Sequence, residues 1–430
     1  LSTQQLLELF NLMTNSYFFE DIQILEKTGS SIKREPVLIK DGVIKAFGSK
    51  ALQNADLLEI KPQKAKNMLL APCLVDPHSF LESPFNGKEE TIHTLIKKAT
   101  FSGYGQLGIL PRGDLWRDQI ESIIALKTIK SEVSIHLWGG FSLNGKGIML
   151  SKHTELLQNG AIGLSDDDYM PPIEFLKQGF SLGEMKNSPV LIAPRDKSLQ
   201  AGGMSRKSVE TLRAGWPPDP VESEIIPLIQ LLELHKQYPE IRLRLMNIST
   251  TEGVSILKNA SPNPMASILW WHLVNDNSSL SPFDIGWSVT PSLGSPRDRA
   301  SLIKGLEDNV LTAISVHSTP TDDSETKLPA NKRKKGISCY NLVLPLLWDQ
   351  LVRKSGWKVE KLWEKVSFGP SKFLNQTEEK LTLNSNRWLL FDPDKEWYQS
   401  NEEKPLTTAT NQPIKYKKIV GKVIDCGLIN

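Results

Sequence analysis

The stretch Leu74-Val75-Asp76-Pro77-His78-Ser79-Phe80-Leu81 decides how the rest of the chain is read. An apolar run that ends in Asp-Pro-His has the form of a buried strand delivering a histidine to a site at its C-terminal end. Side chains at i and i+2 of a strand share a face, so the residue placed to complete a His-x-His pair with His78 is Phe80. A phenyl ring has no lone pair to give a metal. The stretch therefore raises the question whether it is a metal site or what is left of one.

Working outward, residues 16–72 read as short strands and turns: YFFEDIQIL, then PVLIKDGVIKAFGS with Asp41-Gly42 as a hairpin turn, then NMLLAPCLVD. From residue 88 the pattern becomes helix and strand in alternation. EETIHTLIKKATFSG, QIESIIALKTIK, KHTELLQNG and VESEIIPLIQLLELHKQ are helical; YGQLGIL, SEVSIHLWG, AIGLSDDD and IRLRLMNIST lie between them as strands. TEGVSILKNA, MASILWWHLV, RDRASLIKGLEDN and LTAISVHS continue the series. This alternation predicts a parallel α/β sheet closed into a TIM-like (β/α)8 barrel. The tail segments RWLLFDPDKEW and YKKIVGKVIDCGLI return to strand character. The expected organisation is a barrel over 73–375 with a small β-sandwich satellite built from both ends, 1–72 and 376–430. Residues 319–336, TPTDDSETKLPANKRKKG, are expected to be a solvated, mobile loop.

Composition narrows the function classes. The 51 basic and 49 acidic residues nearly cancel, so charge gives no footprint for nucleic acid. Cys73, Cys339 and Cys426 are widely spaced and odd in number, which fits reduced core thiols and a cytoplasmic location better than a disulfide framework. The first residues lack the basic and small-residue elements of a signal peptide, and no stretch reaches the roughly 18 apolar residues of a membrane span. No Gly-rich phosphate loop, GxSxG elbow or HExxH helix is present.

Across nearly the whole chain, segments occur in a telling order: LIKDGVIKAFG, LLAPCLVDPHSFLESP, KEETI, GAIGLSDDD, DKSLQAGG, PPDPVESE, NIST, DRASLIKGL, KKGISCYNLVLPLL, LFDPDKEW and GKVI. In this order and spacing the chain resembles dihydroorotase, an amidohydrolase-superfamily enzyme of pyrimidine synthesis, of the long bacterial type related to hydantoinase and allantoinase. The resemblance implies two metal ions, usually zinc, at the C-terminal mouth of the barrel.

Against that pattern many site positions have changed. His78 keeps the first ligand place and Phe80 takes the second. Ala193, in APRDKSL, stands for the histidine that precedes the family's Glu-Asp, and Asn247, in NIST, stands for another. An ungapped reading from Gly305 to Pro320 puts His317 and Ser318 in place of the Asp-His whose aspartate is both ligand and catalytic base. Within Asp166, Asp167 and Asp168, the first two match the family's Asp-Asp, so His78, Asp166 and Asp167 are the expected vestiges of the metal shell. Substrate positions differ too. Glu82 replaces the arginine that pairs the substrate carboxylate, Arg112 replaces an asparagine, and in TPSLGS Thr290 and Gly294 replace an asparagine and an arginine.

The expectation is a dihydroorotase-like barrel that is catalytically inactive, needs no cofactor, and serves as a structural or regulatory partner. Aspartate transcarbamoylase is the first candidate partner and self-association the second; neither nucleic acid nor membrane is expected. The alternative is an active cyclic-amide hydrolase working between carbamoyl aspartate and dihydroorotate with a rebuilt site that holds zinc. A third reading keeps the pocket as a sensor of an anionic metabolite, with Arg112 as its cation. His272 is expected to pack beside Trp270 and Trp271, and His93, His136, His153 and His235 are expected to be structural.

Overall fold

The computed structural model describes residues 16–185, 187–279, 288–399, 409–414 and 417–429. The reading of the first residues as lacking a leader falls on 1–15, outside the described residues.

The chain begins with strands β1 (Tyr17–Ile24), β2 (Lys33–Lys40), β3 (Val43–Phe47) and β4 (Leu69–Ala71), then enters β5 (Leu74–Ser79). The run NMLLAPCLVD, expected as one strand, is broken at Pro72. Its ring removes a backbone donor from any ladder, and its carbonyl accepts the Trp363 indole N–H at 2.9 Å. Next come β6 (Tyr104–Ile109), β7 (Ser134–Gly140), β8 (Ala161–Ser165) and β9 (Pro189–Ile192), a short parallel pair β10 (Ser205–Arg206) and β11 (Pro218–Asp219), then β12 (Arg242–Leu245), β13 (Met265–Leu269) and β14 (Ala313–Ser315). β15 (Leu389–Tyr398) and β16 (Lys418–Cys426) finish the chain.

Eight strands form a parallel sheet in the order β5-β6-β7-β8-β9-β12-β13-β14. The first and last meet through hydrogen bonds at their C-terminal ends. Phe80 N–H donates to the Ser318 carbonyl at 2.8 Å, and Val316 N–H donates to Asp76 Oδ1 at 2.9 Å. Tyr340 O–H donates to Asp76 Oδ2 at 2.8 Å, and burial pushes the Asp76 carboxyl up to about 6. Gly108 sets how closely β6 approaches β5, since a Cβ there would lie 2.1 Å from the Pro77 carbonyl oxygen. The barrel is filled by Val75, Phe80, Trp138, Leu191, Ala193, Met246 and Phe373. Helices pack outside: Ile92–Phe101 is capped by Thr91 and buries Ile92, Leu95 and Ala99, and Pro296–Glu307 starts with a Ser295–Asp298 capping box.

The other strands form a second sheet in the order β16-β15-β4-β1-β2-β3, so both ends of the chain contribute to one satellite. Tyr17, Phe19, Ile22, Val37, Trp388 and Leu390 make its core. Helix Ser49–Leu57 covers it, where only strands and turns were expected. Ala51 and Ala55 are its buried residues, too small an apolar stripe to announce a helix. Cys73, Cys339 and Cys426 are buried free thiols, and no helix among the described residues is long and apolar enough to cross a membrane.

The 319–336 segment is largely exposed between residues 323 and 333, as expected of a solvated loop, but its ends are anchored. Its feet are pinned by Asn411, whose amide accepts from Thr321 N–H at 3.1 Å and donates to the carbonyls of Thr319 and Gly336 at 2.8 and 2.9 Å. Two of its lysines find partners on the barrel: Lys334 pairs with Glu82, and Lys335 donates to the Gly203 carbonyl.

Candidate active site at the barrel mouth

The strand ends bring His78, Asp168, Arg195, Asn247, Ser267 and His317 into one buried, polar cluster. Each side chain comes from a different strand, five from at or just beyond its C-terminal end, where a parallel barrel collects functional groups, and Ser267 from the middle of β13. Asn247 and His317 have left-handed backbones, with φ of 52° and 48°, at the points where the chain leaves β12 and β14. Such conformations are tolerated by these two residue types and concentrate at functional turns.

The cluster is a continuous hydrogen-bonded chain. Ser267 Oγ lies 2.8 Å from His78 Nε2, His78 Nδ1 lies 3.0 Å from His317 Nδ1, and His317 Nε2 lies 3.0 Å from Asp168 Oδ1. His317 Nε2–H donates to the carboxylate. Burial, and then the neighbouring His317, push His78 well below the usual histidine range, so its ring is neutral and carries one N–H. Two proton arrangements satisfy the chain. Either His317 donates from both nitrogens and His78 donates to Ser267, or His78 donates to His317 and accepts from the serine hydroxyl. In both, each ring nitrogen of His78 faces a protein partner.

The three aspartates go separate ways. Asp166 turns aside to accept from Ser142 N–H at 2.9 Å and Ser142 O–H at 2.7 Å, and burial pushes its carboxyl up to about 7. Asp167 accepts from Arg112 Nη1 at 2.6 Å. Asp168 alone of the three reaches the histidines. Burial would raise it, but His317, then Arg195 and Arg112, hold its carboxyl well below the usual carboxylate range.

Phe80 and Arg112 form a lid over this cluster. The guanidinium lies 3.6 Å from the centre of the Phe80 ring, whose other neighbour is the His317 ring at 5.1 Å. Arg112 Nε donates to Glu82 at 3.0 Å, and Glu82 also takes Lys334. Ala193 is buried beside the cluster without a polar group, and Asn247 accepts from Ser315 O–H at 2.7 Å while its Nδ2 has no partner among the described residues. Thr290 is buried on the 288–294 segment, whose Ser292 carbonyl lies 3.3 Å from His272 Nε2. His272 is thus a buried packing residue beside the paired Trp270 and Trp271 rings, and His153 and His136 are held by Phe141 and Gln106.

This donor set does not fit a pair of zinc ions. His78 has no free lone pair directed to an ion, both oxygens of Asp166 are turned to Ser142, and two guanidinium groups occupy the space around Asp167 and Asp168. Among the described residues no group of three or more His, Cys, Asp or Glu is arranged to hold a metal ion.

Sequence reasoning missed Arg195 and Ser267. Arg195 had a signal, since APRD puts an arginine where the resembled pattern has glutamate. Ser267 had none, being an ordinary small residue in a buried strand.

No family model matches the chain. A probable dihydroorotase-like protein from Synechocystis sp. is 31% identical over 395 residues, covering 84% of this chain and 88% of that protein. A dihydroorotase from Elusimicrobium minutum is 25% identical over 415 residues, covering 95% of both. Among solved structures, an L-hydantoinase (dihydropyrimidinase) from Arthrobacter aurescens superposes with a TM-score of 0.74 at 16% identity, covering 94% of each chain. A dihydropyrimidinase from Brevibacillus agri gives 0.71 at 17% identity, over 95% of this chain and 93% of that one.

Proposed function

The chain belongs to the dihydroorotase-like family of the amidohydrolase superfamily, whose chemistry is hydrolysis of pyrimidine-related cyclic amides, and on that premise we propose that it is a catalytically silent member. Its role is then structural or regulatory, within pyrimidine biosynthesis. One observation carries this reading: His78 and His317 are bonded to each other, ring nitrogen to ring nitrogen, at 3.0 Å. Opening a cyclic amide needs a water made nucleophilic by a Lewis acid or by a base with a lone pair turned toward substrate. Here the second nitrogen of each ring is also engaged, on Ser267 and on Asp168. The charge at the substrate-carboxylate position has the opposite sign, with Glu82 joined to Arg112 and Lys334.

The partner we propose is aspartate transcarbamoylase, on the family's logic that a barrel kept without its chemistry is kept for assembly; a second copy of the chain is the next candidate. Two experiments test the reading separately. Purified chain incubated with dihydroorotate or carbamoyl aspartate should show no interconversion, and chelator-sensitive turnover would end the claim of silence. A tagged chain recovered from its native cell should bring aspartate transcarbamoylase with it. Recovery of only free monomer ends the claim of partnership.

The uninterrupted path from Ser267 through His78 and His317 to Asp168 favours a second reading, an active hydrolase with a rebuilt site. That reading requires turnover of dihydroorotate or a hydantoin that disappears in His78→Ala.

A further inference from the structure

Arg195 lies where three strand ends meet. It is 3% exposed, and every bond its side chain makes crosses to another segment of the mouth. Nη2 donates to Asp168 Oδ1 at 3.0 Å, Nε to the Asp168 carbonyl at 2.8 Å, and Nη1 to the carbonyls of Asn247 and Met246 at 3.2 and 3.4 Å. One planar cation from the end of β9 thus ties the segment after β8 to the segment after β12. Arg112, from the end of β6, approaches from the other side. Its Nη1 is 2.6 Å from Asp167 and 3.6 Å from Asp168, and the Phe80 ring supports its face.

A buried carboxylate such as Asp168 is retained in its charged form only when cations and donors surround it. A metal ion would satisfy that need but would require its own set of lone pairs, and at this mouth those lone pairs are spent on protein partners. A guanidinium makes the opposite demand: it brings donors and needs acceptors, and the acceptors here are backbone carbonyls and carboxylates. We propose that Arg195, seconded by Arg112, stands structurally in the place of the metal centre, so that the mouth is a metal-free site braced by guanidinium groups. This goes beyond the proposed function. It concerns what holds the mouth together, and it is independent of which partner docks and of whether any turnover remains. A corollary follows from like-charge repulsion. Restoring imidazoles alone, by Phe80→His, Ala193→His and Asn247→His, leaves two cations facing any entering divalent ion, so zinc uptake also requires removal of Arg195 and Arg112.

The test uses the full chain and reads stability and metal content. Purified chain should carry well under one equivalent of zinc, and its melting temperature should be unchanged by chelator or by added zinc. Arg195→Met and Asp168→Asn should each lower the melting temperature by several degrees, and the double variant should lose clearly less than the sum of the two. Arg195→Lys should recover only part of the loss, because an ammonium cannot span the carboxylate and three carbonyls. If Arg195→Met accumulates only as insoluble chain, Arg195→Lys with Asp168→Asn completes the cycle. Stoichiometric zinc whose removal lowers the melting temperature would overturn the proposal, and so would additive losses in the cycle.

Discussion

The satellite sheet and the barrel mouth are buried to the same degree by opposite means. In the satellite, Phe19, Ile22 and Val37 of neighbouring strands meet Trp388 as apolar faces, and the apolar runs of the strands announce that they are buried. At the mouth the buried groups are imidazoles, carboxylates, hydroxyls and guanidiniums, and their partners are far away in the chain: His78 and His317 are separated by 239 positions. Apolar contacts are interchangeable within limits of volume, so a sheet of this kind changes one residue at a time. A network of paired polar groups is not. Losing one member strands another, so its members change together or not at all.

That contrast can be broken at several points. The largest effect is expected in the satellite: Phe19→Ala should destabilise by about 3–5 kcal/mol through the cavity it leaves. The mouth should be untouched. Denaturant unfolding checks the loss, and near-UV circular dichroism of native chain checks that the barrel aromatics are unmoved. Next is the seam between β5 and β14, where Asp76→Asn should cost about 1–3 kcal/mol, since an amide replaces one of the two oxygens that accept from Val316, Ser79 and Tyr340. A loss within error would show that the seam is closed by packing and not by polar bonds.

The third prediction concerns pH. Burial, and then Arg387, pull His136 down to about 4 from its ordinary 6.5. Its folded value lies below its unfolded one, so its contribution is fully present above about 6.5 and is lost as pH falls toward 4. Wild type should therefore lose about 3 kcal/mol more than His136→Gln between neutral pH and that lower limit. Parallel stability curves for the two chains would remove this histidine from the account. The smallest effect is Thr91→Ala, which removes the N-cap of helix Ile92–Phe101 and should cost about 1 kcal/mol, read as a shift in denaturant midpoint at constant slope.

The same contrast explains what could be read from the sequence. The barrel was legible because alternating helix and strand patterns are local, and so were β15 and β16, of which β15 pairs with β4 and β16 with β15, as the strand-rich tail suggested. Helix Ser49–Leu57 was not, because two alanines make no visible stripe. At the mouth, the positions of His78, Phe80, Ala193, Asn247 and His317 were found through resemblance. Which aspartate meets the histidines was not found, because three adjacent carboxylates differ only in the path of the turn that carries them. Arg195 was overlooked for the related reason that its acceptors are mostly backbone carbonyls, which leave no trace in composition or spacing.

Asn411 gives the 319–336 segment an unusual mechanical property. A single amide holds the carbonyls of Thr319 and Gly336 together and caps Thr321, so the excursion between them is a ring sealed at its base. Lengthening a sealed ring is cheap, about 0.6 kcal/mol for each doubling of a flexible loop. The exposed turn at Pro329 is therefore a port: a fluorophore, a spin label or a whole folded domain can be inserted there while Lys334 keeps its hold on Glu82.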